Sequence, residues 1–132
     1  MSAKSIADKL LIKPNTTVWL SRAEHLARIE PLPAGARVVE GMEQATVALV
    51  FADGAASARE TLAAHSGQLA RPAVFWVAYP KGNKADIDRD TLWPILAEYG
   101  MRPIGQVAVD EVWSALRFRP LREGEAPFSG GQ

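Results

Sequence analysis

The chain has 132 residues, with 15 basic and 15 acidic side chains, no cysteine and 48% hydrophobic residues. That is the length and composition of one globular domain, large enough to fold without a disulfide or metal staple. The missing cysteines exclude thiol catalysis and cysteine-ligated metals, and zero net charge argues against a general polyanion binder.

Lys4, Asp8 and Lys9 interrupt the first ten residues, so no secretion signal is expected there. The longest apolar runs, residues 47–52 and 73–79, fall far short of the ~20 residues of a membrane helix. A cytoplasmic protein without a membrane partner is the expectation. Ile6, Leu10 and Leu11 share one face of a short helix that Pro14-Asn15 breaks. Residues 17–20 read as a strand. Ser21-Arg22-Ala23-Glu24 has capping-box spacing and opens a helix through about Ile29, which Pro31 and Pro33 end. Residues 37–40 form a weaker strand.

The two apolar runs that follow dominate the pattern. Thr46-Val47-Ala48-Leu49-Val50-Phe51-Ala52 and Ala73-Val74-Phe75-Trp76-Val77-Ala78-Tyr79 lack polar alternation, as strands buried on both faces of a parallel sheet do. Asp53-Gly54 closes the first, and Pro80-Lys81-Gly82-Asn83 closes the second. Between them, Ala58, Leu62, Ala63 and His65 fall near one helical face, with Gly67 placed to take a left-handed cap. The unit is βαβ, and its crossover should be right-handed. Leu92, Ile95, Leu96 and Tyr99 mark a second helix closed by Gly100. Proline belongs in a first turn, so Pro94 sets the start near Asp90 or Thr91, with one of them as N-cap. Residues 106–109 and 114–119 make an antiparallel hairpin around Asp110-Glu111-Val112-Trp113. Residues 1–120 form the domain, and the Gly-, Glu- and Pro-rich residues 121–132 read as a disordered tail.

This order predicts an α/β sandwich of three layers, with a mostly parallel sheet of about six strands and an antiparallel C-terminal hairpin. One segment tests it. From Glu40 to Thr46 the chain spans at most roughly 20–22 Å. A parallel return past one strand needs nearly all of that reach, so residues 41–45 should be extended and hold no helix.

Over about residues 6–119 the order of elements resembles a shortened class I methyltransferase-like Rossmann fold, terminal hairpin included. Four segments carry a closer likeness: Leu11-Ile12-Lys13-Pro14, Trp76-Val77-Ala78-Tyr79-Pro80-Lys81-Gly82, Asp86-Ile87-Asp88-Arg89-Asp90, and residues 107–119 from Val107 to Arg119. They look like the hallmark segments of a bacterial family of unknown function. That resemblance implies a fold and no mechanism.

Four constellations bear on chemistry. The turn after the first strand, Ser21-Arg22-Ala23-Glu24-His25, has none of the glycines that bring backbone close to a phosphate. Glu40, 19 residues after Ser21, stands where an acid would bind a ribose, yet it also reads as a solvated strand end. Adenosylmethionine or dinucleotide binding in the usual mode is therefore disfavoured, and no cofactor is expected. The polar loop 81–90 holds Lys81, Lys84, Asp86 and Arg89 at the sheet edge where doubly wound folds bind ligands. Its alternating Asp86, Asp88 and Asp90 lack the glycine and distal glutamate of a calcium loop, so no metal is expected. If the hairpin strand runs parallel to the central strands, Asp110, Glu111 and Trp113 reach the same edge. They then form either a salt-bridge network or one polar pocket with Trp113 as a wall. Trp76 and Trp93 read as core residues. Arg117 and Arg119 share a strand face and, with Arg122, make a basic stripe too small for nucleic-acid binding. His25 and His65 are too few for a zinc site, and no nucleophile elbow supports a triad.

Three functions compete at this stage. The first is a non-catalytic methyltransferase-like domain binding a small molecule or protein at Lys81, Lys84, Asp86, Arg89, Asp110, Glu111 and Trp113. The second is a small enzyme with Asp86, Asp110 or Glu111 as general base, which requires one of them in a concave site. The third is a structural or regulatory protein that self-associates, since four helices leave part of a six-stranded sheet open.

Overall fold

The computed structural model describes residues 5–82 and 86–126. Its strands are β1 Thr17–Leu20, β2 Arg37–Val38, β3 Val47–Phe51, β4 Val74–Pro80, β5 Met101–Ala108 and β6 Trp113–Pro120. Its α-helices are α1 Ile6–Lys9, α2 Leu26–Ile29, α3 Ala55–Ala64 and α4 Arg89–Ala97. The six strands form one sheet in the order β2-β1-β3-β4-β6-β5. β1 to β4 are mutually parallel, and β6 runs antiparallel to both β4 and β5. The expected class, a Rossmann-like α/β sandwich with a C-terminal antiparallel hairpin, is what the chain forms.

The apolar runs explain the three layers. All five residues of β3 are buried. Val47, Leu49 and Phe51 face α1 and α2, while Ala48 and Val50 face α3 and α4. Each large side chain so buried contributes roughly 1.5–3 kcal/mol. The indoles lie within this core and find acceptors. Trp76 Nε1 donates to the Leu10 carbonyl (3.0 Å), and Trp19 Nε1 donates to the Glu40 carbonyl (3.2 Å).

The test segment is not fully extended. Residues Met42–Gln44 make one 3-10 turn, yet β3 still lies beyond β1 from β2. The reach argument failed because β2 is only two residues long. Val38 and Val47 both pair with Val18, so the chain crosses β1 without travelling back along it. That crossing is about 10 Å, two strand spacings.

Other local expectations are corrected by tertiary partners. Leu11 has φ 66° and is exposed, so α1 ends before it. The Ser21 hydroxyl accepts from Phe51 N (2.8 Å) across the sheet instead of capping a helix. The chain stays extended to Arg22, and a 3-10 turn Ala23–His25 precedes α2. Gly67 is not left-handed, and α3 stops at His65, whose ring meets Trp19 edge-on at 4.8 Å. α4 is capped by Asp88, not Asp90 or Thr91, in a box with Thr91. Pro94 thus lies inside the helix rather than in its first turn. β5 begins at Met101, before Pro103 and Gly105, because an edge strand tolerates proline and a bulge at these two residues shifts the register.

No described helix is long and apolar enough to cross a membrane, and no cluster of metal-ligating residues occurs among the described residues.

Candidate functional site

In a doubly wound sheet, ligands bind beyond the strand C-termini where the chain changes direction across the sheet. Here β1 leads to β2 on one side and β3 leads to β4 on the other, so the switch lies between β1 and β3. Arg22 follows β1 and Asp53 follows β3. Arg22 Nη1 lies 3.0 Å from Asp53 Oδ2, and Arg22 Nη2 lies 3.4 Å from Ser57 Oγ. Both charged side chains are exposed, at 40% and 57%. The hydrogen bond from Arg22 holds the Asp53 carboxyl below the usual carboxylate range. An exposed pair of this kind is worth about 0–1 kcal/mol, so a ligand can displace it. The β1–β2 register sets Glu40 level with Leu20, at the same mouth, and its side chain is exposed.

The loop 81–90 and the hairpin loop do lie at this edge, joined by Lys81 N donating to Val112 O (2.7 Å). They do not form one pocket. The register pairs Pro80 with Trp113 and Tyr79 with Ser114, and strand pleating sends the two pairs to opposite faces. Trp113 packs toward α1 and α2, whereas Tyr79 packs toward α3 and α4.

On the Trp113 side the groups close on one another. His25 stacks on Phe51 at 4.1 Å and meets Trp113 edge-on at 5.0 Å. Arg28 Nε donates to His25 Nδ1 (2.9 Å), Arg28 Nη1 bonds Asp110 Oδ2 (2.8 Å), and its guanidinium lies 5.6 Å from the Trp113 ring centre. Asp110 Oδ1 accepts from Val112 N (2.8 Å) and Trp113 N (2.7 Å). Partial burial pushes the Asp110 carboxyl up, but those two amides and Arg28 outweigh it and hold it below its ordinary value.

On the Tyr79 side an open groove of about 490 Å³ is lined by Tyr79, Lys81, Gly82, Asp88, Arg89, Asp90, Gln106 and Ser114. Gln106 Nε2 donates to Tyr79 Oη (2.8 Å) and to Ser114 Oγ (3.1 Å).

Of the expected site residues, Lys81 and Arg89 line this groove, while Asp110 and Trp113 belong to the other face. Asp86 Oδ1 caps α3 through Ala55 N (2.8 Å), and a Cβ on Gly54 would meet that oxygen at 2.9 Å. Glu111 is exposed at the hairpin tip. Lys84 lies outside the described residues. Asp86, Asp110 and Glu111 therefore do not converge, and the carboxylate-base reading is withdrawn. The basic stripe is neutralised in part. Glu125 Oε2 lies 2.7 Å from Arg102 Nη1 and 2.7 Å from Arg119 Nη2, and Arg119 holds that carboxyl well below the carboxylate range. Arg28, Asp53, Tyr79 and Gln106 were missed as members of a site, whereas Arg22 and His25 were weighed only within the turn after the first strand. Only the three-residue spacing of His25 and Arg28 offered a local signal.

No protein-family model and no curated protein matches the chain. Solved structures do. A protein of the NADB-Rossmann superfamily from Streptococcus agalactiae matches with TM-score 0.58 and 8% identity, over 98% of this chain and 72% of that one. Sp1610 of Streptococcus pneumoniae, described as a candidate tRNA (m1A22) methyltransferase, matches with TM-score 0.57 and 12% identity, over 98% and 73%. The m1A22 tRNA methyltransferase TrmK of B. subtilis matches with TM-score 0.53 and 10% identity, over 96% and 71%. The chain is thus similar in fold to methyltransferase-like Rossmann proteins. These matches overturn the expectation of a non-catalytic domain, which rested on the missing glycines: proteins named as methyltransferases carry this architecture over nearly the whole chain.

Proposed function

We propose that the chain is an S-adenosylmethionine-dependent methyltransferase domain, with its donor site over the switch between β1 and β3. The observation that carries this reading is the charge pair Arg22–Asp53 at that switch, 3.0 Å apart and exposed. A dinucleotide would need close backbone approach at its pyrophosphate, which Ser21 and Arg22 do not offer. S-adenosylmethionine has no phosphate. Its amino-acid end is a zwitterion, which an arginine and an aspartate side by side complement. When bound, it supplies an electrophilic methyl group that an acceptor nucleophile takes, leaving S-adenosylhomocysteine. Asp53 would hold the ammonium, Arg22 the carboxylate and Glu40 the ribose hydroxyls. The fold matches support the same reading. Membership of the bacterial family of unknown function, and a cytoplasmic location, are part of this proposal.

The tRNA of the matched proteins' names is not carried over. The chain has zero net charge, and Arg22, Arg28, Arg59, Arg102 and Arg119 all face carboxylates. Titration calorimetry with S-adenosylhomocysteine tests the donor site. Saturable binding is expected, and at ~100 times the dissociation constant it should add roughly 2.7 kcal/mol to stability. Arg22→Ala and Asp53→Asn should each weaken it by about tenfold, the loss of one charged hydrogen bond. Absence of binding to the unaltered protein at millimolar ligand would remove the proposal.

A further inference from the structure

We infer that the groove over the C-terminal end of β4 and the start of β6, with Gln106 of β5 beside them, binds the methyl acceptor. We further infer that this acceptor carries an amide-type edge and an anionic group. That the ligand is an acceptor rests on the methyl-transfer reading. Its chemistry is read from the groove alone.

The floor consists of Tyr79, Gln106 and Ser114. Ser114 Oγ donates its proton to the Val107 carbonyl (3.2 Å), so its oxygen must accept from Gln106. This fixes which end of the Gln106 amide faces Ser114. The second Nε2 hydrogen goes to Tyr79 Oη. Two groups are left over. Among the described residues, the Tyr79 hydroxyl proton has no acceptor and Gln106 Oε1 has no donor. Tyr79 is only 4% exposed and its hydroxyl oxygen already accepts from Gln106, while Gln106 is exposed, so the free proton and the free amide oxygen face the open groove. A donor beside an acceptor matches the edge of a lactam, an imide or a carboxamide.

The rim supplies the charge. Lys81 and Arg89 both line the groove. The carboxylate nearest Arg89 is that of Asp90, at 3.9 Å and exposed, a weak contact. Asp88 is engaged with Thr91 N as the cap of α4. The two cations are thus placed for an anionic group. A volume of about 490 Å³ suits a ligand the size of a nucleoside monophosphate.

Calorimetry with three probes separates the parts: uridine 5′-monophosphate, uridine without the phosphate, and ribose 5-phosphate without the base. The unaltered protein should bind the monophosphate saturably. Tyr79→Phe should weaken the monophosphate and uridine by about tenfold each and leave ribose 5-phosphate unchanged. Lys81→Ala/Arg89→Ala should weaken the monophosphate and ribose 5-phosphate and leave uridine unchanged. Melting temperatures of both variants show that they are folded at the temperature of titration. No saturable binding of the monophosphate, or unchanged affinities in Tyr79→Phe, overturns the inference. Parallel titration with S-adenosylhomocysteine distinguishes the two readings. Monophosphate binding alone keeps the groove chemistry and removes the methyl donor, and homocysteine-adduct binding alone does the reverse.

Discussion

Pro80 pairs with Trp113 across β4 and β6, and Tyr79 pairs with Ser114 one step deeper, yet the two pairs look onto different faces. On the Trp113 face, Asp110 has both oxygens engaged, Arg28 bonds His25 and Asp110, and the rings of His25, Phe51 and Trp113 cover one another. On the Tyr79 face, among the described residues, a hydroxyl proton and an exposed amide oxygen have no protein partner at an open groove lined by Lys81, Arg89, Asp88 and Asp90. The difference separates a polar cluster that holds the hairpin from one that lies open to solvent. Within these two clusters, completeness of hydrogen bonding, rather than charge density, is the difference, although Arg117 Nε, further along β6 on the Trp113 face, is buried without a partner.

The largest expected effect comes from breaking the closed face. Trp113→Ala removes a side chain that is 7% exposed and touches both aromatic neighbours. Loss of about 3–5 kcal/mol is expected from urea denaturation. A loss under about 1 kcal/mol, the range of an ordinary surface change, would mean that this face holds nothing together. Asp110→Ala should be intermediate. It leaves the Val112 and Trp113 amides without their acceptor and Arg28 without its carboxylate. About 1–3 kcal/mol should go, and Asp110→Asn should recover part because its oxygen still accepts from the amides. Equal losses in the two variants would assign the effect to charge and not to the turn.

The division between the faces was only half legible in the chain. The two apolar runs announced β3 and β4, and the short link 110–113 announced the hairpin, because burial and turn length act locally. That both loops meet at one edge followed from strand direction. What did not follow was the parity of the pairing. A shift of one residue in the β4–β6 register would put Trp113 beside Tyr79 and make the single pocket that was one of the two expectations. Register is set by contacts between residues more than thirty apart, such as Trp76 with Arg117, which no local pattern contains. The same holds for Ser21. Its spacing to Glu24 is that of a capping box, but Phe51 N takes the hydroxyl oxygen. Arg22 and Asp53 were invisible as a pair for this reason too, being 31 residues apart and joined only by the β1–β3 pairing.

The smallest expected effect is a slope with pH, and it tests the closed face most directly. Burial, with Arg28 next, pushes the His25 imidazole below its ordinary value, while Glu24 and Asp110 pull the other way and Arg22 adds to Arg28. The folded protein therefore holds His25 neutral, with Nδ1 as acceptor for Arg28. The unfolded chain takes up its proton near the ordinary value of about 6.5. As pH falls through that value the unfolded state gains protons first, so stability falls, and it levels off only once folded His25 is also protonated. Denaturation midpoints at pH 8 and pH 5.5 should thus differ in the unaltered protein. His25→Gln keeps an acceptor for Arg28 and removes the titration, so its difference should be smaller. If the two proteins show the same slope, the stacked imidazole is not the titrating group. The closed face would then tolerate a charge as readily as the open one, and hydrogen-bond completeness would no longer tell the two apart.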